Sequence, residues 1–199
     1  MNVDPAAIMA QLCAALPTAR ISIRTNPSPA GQHSLLVDGS QLCAVCQFLR
    51  DTPELAFDLL SNVTGVDWPE AAKADAVAMP AADDAPASAC LEVLYHLYST
   101  SRRVGPLVLR CRTADREDKV QIPSVVTVFR SAEFQECEIF DLYGVEFTGH
   151  PDLRRILMWD EFVDHPLRKD YRAPDDYEYE PTPHDAVLGK AQRHYPAQP

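Results

Sequence analysis

Apolar positions along the first fifty residues repeat at helical spacing twice, with a short alternating stretch between. Met9, Leu12, Cys13 and Leu16 form one stripe, opened by Asp4-Pro5 as N-cap and first-turn proline and closed by Pro17. Leu42, Val45, Cys46 and Leu49 form a second stripe, on a helix opened by Ser40. Between them, Ile21-Ser22-Ile23 and Leu35-Leu36-Val37 read as strands on either side of the turn-prone NPSPAGQ.

Thr52-Pro53 restarts the chain toward FDLLSNVTGVDW, whose β-branched end reads as a strand. Residues 69–89, rich in Ala, Asp and Pro, read as a low-complexity loop. CLEVLYHLYS (90–99) and LVLRCR (107–112) read as antiparallel neighbours, followed by a charged turn, TADREDK, and a further strand in SVVTVF. A helix spans Ala132 to Tyr143, with Gly144 where a C-cap needs positive φ. After Phe147 no long element is predicted.

Strands in runs, without regular helical crossovers, predict an α+β fold. The expected architecture is a two-layer domain, an antiparallel or mixed sheet with flanking helices, over residues 1–147. An extended C-terminal arm, 148–199, completes it.

With 199 residues the chain can bury a substantial core. No apolar run approaches the roughly 18 to 20 residues a membrane span needs, and MNVDPAAIMAQL lacks the basic flank and apolar centre of a signal peptide. A cytosolic chain with reduced thiols at Cys13, Cys43, Cys46, Cys90, Cys111 and Cys137 is therefore expected. A net charge of -11 with pI near 4.9 argues against nucleic acid as a partner, since a phosphate grip needs a basic face.

The candidate chemistry is sparse. Cys43 and Cys46 form CxxC near a helix start, where a thioredoxin-like site would place them; Ala and Val between them, and Cys46 on the apolar stripe, favour a packed core pair. No second ligand pair supports zinc or an iron–sulfur cluster. His150, His165 and His184 with Asp152, Asp164 and Asp185 suggest a metal or hydrolase site, but each His adjoins a proline and none shares a helical face at i,i+4. GxSxG, Walker and GxGxxG motifs are absent from the sequence.

On the helix AEFQECEIFDLYG, Phe134, Cys137, Glu138, Asp141 and Leu142 fall on one side. Either this face is wet, or Glu138 and Asp141 are partly buried and answered by cations, because an unpaired buried carboxylate costs several kcal/mol. The nearest cations lie in HPDLRRILMWDEFVDHPLRKDY (150–171), where proline-stiffened backbone projects Arg154, Arg155, Arg168 and Lys169 among Leu153, Ile156, Leu157, Met158 and Trp159. Such alternation suits burial under a partner.

ECEIFDLYGVEFTGHPDLRRIL followed by HPLRKDY closely resembles the signature of the C-subunit family of bacterial NADH-quinone oxidoreductase, respiratory complex I. The likeness extends upstream through LSNVTGVDW, LEVLYHLYS and VQIPSVVTVFRSAEFQE and covers most of residues 35–172. It implies a non-catalytic peripheral-arm subunit of a proton-translocating enzyme, on the cytoplasmic side of the bacterial inner membrane. NADH, FMN, iron–sulfur clusters and quinone would belong to other subunits. The expected partners are the D-type protein of the quinone site and other peripheral-arm iron–sulfur subunits, with no membrane span in this chain.

The resemblance places the family's paired glutamates at Glu136 and Glu138, and its strap at His150, Arg154, Arg155, His165, Arg168, Lys169 and Asp170. With Asp141, these are expected to lock the arm and the partner together. Three departures stand out: Cys137 replaces the usual arginine, Phe134 the usual tryptophan, and Asp164 the glycine before the second His-Pro. The loop 69–89 is longer than is usual for the family, and the acidic stretch APDDYEYEPTPHD reads as a lineage-specific contact or a disordered tail. The alternatives are an equivalent subunit of a membrane-bound hydrogenase-type complex, or a stand-alone CxxC thiol protein.

Overall fold

The computed structural model describes residues 3–26, 31–70, 86, 88–117 and 119–172. Among the described residues, three α-helices, α1 (Pro5–Ala15), α2 (Leu42–Asp51) and α3 (Ala132–Tyr143), accompany seven strands. These are β1 (Ile21–Arg24), β2 (Ser34–Val37), β3 (Leu59–Trp68), β4 (Cys90–Ser99), β5 (Val104–Arg112), β6 (Gln121–Pro123) and β7 (Glu146–Thr148). The main sheet runs β1-β2-β5-β4-β3, antiparallel except for the parallel pair β2 and β5. β6 and β7 form a small parallel pair. The fold is α+β.

Alternation along β4 builds the core: Leu91, Val93, Tyr95 and Leu97 are fully buried on one face. The same cluster takes Ile8 and Leu12 from α1, and Leu42, Val45, Cys46 and Leu49 from α2. The second stripe is as predicted, but its cap is not: Asp38, not Ser40, accepts from the amide of Ser40 at 3.0 Å and starts a single 3₁₀ turn, Gly39–Gln41, ahead of the helix. On α1 Asp4 caps as expected, accepting from Ala6 N–H. Cys13, however, is exposed and Ile8 takes the buried place beside Leu12, because the helix presents a narrower face to β1 and β2 than its apolar count implied.

Two other expectations are corrected. SVVTVF is not a strand: only Gln121–Pro123 pairs, and the chain then turns, with Val128 and Phe129 N–H both donating to the Val125 carbonyl. The amide of Val125 is taken by a side chain of α3 rather than by a neighbouring strand. As far as Arg172 the arm is also not an extended strap. From Gly149 to Arg172 it is a succession of turns laid back on its own domain. Most of the loop 69–89, and the arm beyond Arg172 with its acidic stretch, lie outside the described residues.

Helix α3 lies along β3, one of the two edge strands of the main sheet. Gln135 accepts the Val63 N–H at 2.7 Å, and Ser131 Oγ donates to the Leu60 carbonyl at 2.9 Å. Side chains of the helix thereby occupy backbone groups that an edge strand would otherwise expose. Gly65 permits the close fit, since a Cβ there would stand 2.6 Å from the Tyr143 ring.

Candidate functional site

Three elements converge at the C-terminal end of α3: the helix, the end of β3, and the arm. A helix leaves its last carbonyls without internal partners and carries partial negative charge there. Gly144, at φ 78°, ends α3 with the expected left-handed residue. The arm then returns over that end. His165 Nδ1 donates to the Asp141 carbonyl at 3.0 Å, Leu167 N–H to the Leu142 carbonyl at 3.1 Å, and Arg168 Nε to the Tyr143 carbonyl at 2.7 Å. Arg168 also reaches the carbonyls of Arg116 and Glu117 at 3.4 Å.

Asp141 is the anchor. It is fully buried, and Oδ2 accepts the N–H groups of Ile156, Leu157 and Met158 at 3.0, 2.7 and 2.9 Å. Arg155 donates to Oδ1 at 2.6 Å and to the Asp141 carbonyl at 3.0 Å. Burial pushes this carboxyl up, but the N–H groups of Met158 and Leu157, then Arg155 and the Ile156 N–H, outweigh it and hold it below the ordinary range. Arg155 also donates to the Asp164 carbonyl at 3.2 Å and lies over the Phe162 ring.

The first His-Pro is held one turn earlier on the helix. His150 Nδ1 accepts the Asp152 N–H at 3.1 Å, so the proton sits on Nε2, which donates to the Glu133 carbonyl at 3.0 Å. Cys137 is buried beneath this turn and donates its thiol to the Asp152 carbonyl at 3.4 Å. Cys137 thus holds this stretch of arm through a neutral contact. Arg154 is exposed and meets Asp152 at 2.9 Å.

Lys169 and Asp170 belong to a third clasp, which sequence reasoning missed. Asp67, buried on β3, accepts the Lys169 N–H at 2.6 Å and is forked by Arg116 through Nε and Nη2. Arg116 turns its other edge to Asp170 at 2.8 and 2.7 Å. Hydrogen bonding to Arg116 holds Asp170 down at about 2. An acidic residue inside the β-branched VTGVDW was the available signal for Asp67; nothing local marks Arg116 in its charged turn.

The helix face was placed one step off. Glu138 is exposed rather than buried, and Phe134, a turn earlier, is 61% exposed. The helix has two covered sides, not one: Ala132, Glu136 and Ile139 face the domain, and Cys137 with Asp141 faces the arm. Glu136 is the buried glutamate. Instead of a cation it has neutral donors, Ser124 Oγ at 2.6 Å and the Val125 N–H at 2.8 Å, and burial pushes its carboxyl up against their opposing effect.

Facing away from these anchors, the arm presents Leu157 and Trp159 at 61% and 56% exposure, with Val163 at 85% and Leu167 at 48%. Trp159 packs edge-on against Phe162, which in turn leans on Tyr171. A groove of about 160 Å³ runs beside Leu167 between β3 and α3, floored by Gly65 and Tyr143 and edged by Glu138 and Leu142.

The competing chemistries find little support in this geometry. Cys46 is fully buried and its thiol is pushed well up by desolvation, and Cys43 donates to the Ser124 carbonyl, so the CxxC lacks an exposed, activated sulfur. His150 and His165 spend ring nitrogens on backbone groups, and no cluster of potential metal ligands occurs among the described residues. His184 and Asp185 lie outside the described residues. No helix among the described residues is long and apolar enough to cross a membrane.

The fold recurs in a chain of the membrane-bound sulfane sulfur reductase, an archaeal respiratory membrane complex, with TM-score 0.60 and 19% identity, covering 96% of this chain and 90% of that one. At sequence level the chain is 36% identical, over 142 residues, to the C 2 subunit of NADH-quinone oxidoreductase from Rhizobium meliloti (strain 1021), covering 71% of this chain and 66% of that protein. It is 40% identical over 114 residues to the C/D subunit of NADH-quinone oxidoreductase from Phocaeicola vulgatus, 57% of this chain and 18% of that longer protein. The chain thus spans somewhat less than two thirds of the first relative. Residues 35–177 match the family described as respiratory-chain NADH dehydrogenase, 30 kDa subunit. That match takes in α2, α3, the sheet from β2 onward and every clasp of the arm, and the chain belongs to this family.

Proposed function

We propose that this chain is a non-catalytic peripheral-arm subunit of a proton-translocating NADH-quinone oxidoreductase. In this reading it docks through residues 148–172 on the D-type partner of the quinone site, on the cytoplasmic side of the membrane, and supports electron transfer from NADH to quinone. NADH, flavin, iron–sulfur clusters and quinone are held by other subunits.

One observation carries the proposal: an arm pinned at three places presents an outward row of Leu157, Trp159, Val163 and Leu167. Large exposed apolar side chains on an ordered surface mark a contact site, and aromatic anchors of this kind dominate interface energetics. A relative named as a C/D subunit supports the choice of partner, because fusion of two modules accords with their acting side by side. Glu138, Arg154 and Lys169, solvent-facing around the row, serve as the polar rim; Glu136, Asp141, His150, Arg155, His165, Arg168 and Asp170 hold the arm in shape for docking.

Affinity capture of the tagged chain from its own membranes tests this. A homologue of the D-type partner and NADH-driven quinone reduction should be recovered together. Recovery of a stable lone monomer, or of an assembly driven by a different electron donor, would sink the reading. The second of those outcomes would favour a hydrogenase-type or other respiratory complex, a reading to which the sulfane sulfur reductase likeness lends only a shared fold.

A further inference from the structure

The turn in the middle of the arm carries charge of one sign. Phe162 N–H donates to the Trp159 carbonyl at 3.0 Å, closing a reverse turn whose two central residues, Asp160 and Glu161, are exposed. Asp164, also exposed, follows close behind, and even a fully extended chain spans at most about 14 Å from Asp160 to Asp164. Residues 156–167 contain these three acids and no lysine or arginine.

The arm's own arginines do not answer them. Arg154 bonds Asp152 at 2.9 Å and feels the charge of Asp160 only after that of Asp152. Arg155 is spent on the Asp141 carboxylate and reaches Asp164 only at its main-chain carbonyl, 3.2 Å away. The carboxylates of Asp160, Glu161 and Asp164 make no hydrogen bond or ion pair among the described residues.

These acids stand beside an apolar platform that is held rigid. The Trp159 ring meets Phe162 edge-on with centroids 4.8 Å apart, and the Arg155 guanidinium lies over Phe162 at 5.6 Å. Because Arg155 is bonded in turn to buried Asp141 at 2.6 Å, exposed Trp159 is tied through two side chains to the end of α3. A surface already ordered binds at lower entropic cost. Exposed Leu157 and Val163 precede and follow Trp159 in the chain.

An apolar row by itself suits a bilayer as well as a protein. The acids decide between them, since an anionic membrane surface repels carboxylates and favours lysine and arginine beside the apolar side chains. We infer that the segment of the D-type partner docking on this row is basic. It sets apolar side chains against Leu157, Trp159 and Val163 and directs lysine or arginine to Asp160, Glu161 and Asp164. This rests on the docking reading above and adds the chemistry of the partner's surface. Charges at the edge of an apolar contact act chiefly through encounter, so their effect is sensitive to salt.

Capture by the tagged full-length chain from its own solubilised membranes provides the test. In the parent, recovery of the D-type protein should fall several-fold between about 50 and 300 mM salt, as screening shortens the reach of the three carboxylates. Asp160→Asn, Glu161→Gln and Asp164→Asn together should lower recovery several-fold at the low-salt end and remove most of the salt dependence. Asp160→Lys, Glu161→Lys and Asp164→Lys together should lower it further, while the thermal midpoint of each purified chain stays that of the parent. Equal recovery by the parent and the lysine variant would overturn this inference and leave the docking reading standing. Recovery of no D-type protein by the parent would overturn both. Binding of the free parent chain to phosphatidylglycerol vesicles, lost on Trp159→Ala, would overturn the inference by giving the row to the membrane.

Discussion

Arg155 grips Asp141 at both ends of the residue, its Nη1 donating to the carboxylate at 2.6 Å and to the main-chain carbonyl at 3.0 Å. One guanidinium therefore ties the arm to both the side chain and the backbone of the last turn of α3. Three consecutive arm amides converge on the other carboxylate oxygen.

Removing that carboxylate strands four donors. Asp141→Ala should destabilise the chain by about 3 to 5 kcal/mol, as when one partner of a buried ion pair is deleted. Asp141→Asn, which keeps the size and loses the charge, should be milder. Because the folded carboxyl lies below its unfolded value, its stabilisation is present above the unfolded value, near pH 4, and is lost as pH falls through the folded one. Urea unfolding from pH 3 to 7 checks both: the variants should lose part of the acid dependence of the parent chain.

Gly144 has no room for even the smallest side chain. An alanine at φ 78° costs about 1 to 2 kcal/mol in the left-handed region. Its Cβ would also meet His165 and Arg168, the latter at 2.9 Å. Gly144→Ala should therefore free the arm from the helix while the main sheet survives. Trypsin should cut within residues 154–172 of the variant faster than in the parent, with circular dichroism of the domain preserved; equal cutting rates would show that the arm does not depend on this seat.

Much of this was legible in the sequence, and the failures have a common cause. Helix α3 was read to its last residue because its stop signal, Gly144, is local. The buried glutamate was misplaced because a periodic pattern gives the angles between side chains but not which angle faces a neighbour. With the domain on one side and the arm on another, both Glu136 and Asp141 are buried and Glu138 between them is not. The Asp67–Arg116–Asp170 clasp spans 49 and 54 residues of chain, and no local rule links positions so far apart. SVVTVF was misread because β-branched composition measures fitness for a packed, pleated surface rather than an intrinsic strand preference. Here the segment packs, but on turns.

Arg154 and Arg168 look alike in the repeated His-Pro stretches and should behave differently. Arg154 is exposed and faces an exposed Asp152, so Arg154→Ala should leave thermal unfolding of the chain unchanged and act only on incorporation into the complex. Arg168 satisfies a helix-end carbonyl at 2.7 Å. Its loss should cost the isolated chain about 1.5 to 3 kcal/mol, the range for hydrogen bonds to a charged group. Unfolding of the purified variants, beside the fraction each recovers with a tagged partner, separates the two roles. Identical behaviour in both assays would remove the distinction.

Glu136 offers the opposite pH dependence to Asp141. It is fully buried against Ser124 and Val125, and desolvation raises its folded value above the unfolded one. The native state therefore holds the proton more tightly, and this group's contribution is present below the unfolded value and is lost as pH rises through the folded one. Glu136→Gln keeps an acceptor for the Val125 N–H without any charge to desolvate. Relative to the parent, the variant should gain stability as pH rises from 4 toward 8. Glu136→Ala, which leaves the Val125 N–H and the Ser124 hydroxyl without acceptors, should lose about 1 to 3 kcal/mol at every pH. Denaturation midpoints of the three chains across that range give the answer: a constant difference between the parent and the glutamine variant would mean that Glu136 does not change its protonation on folding.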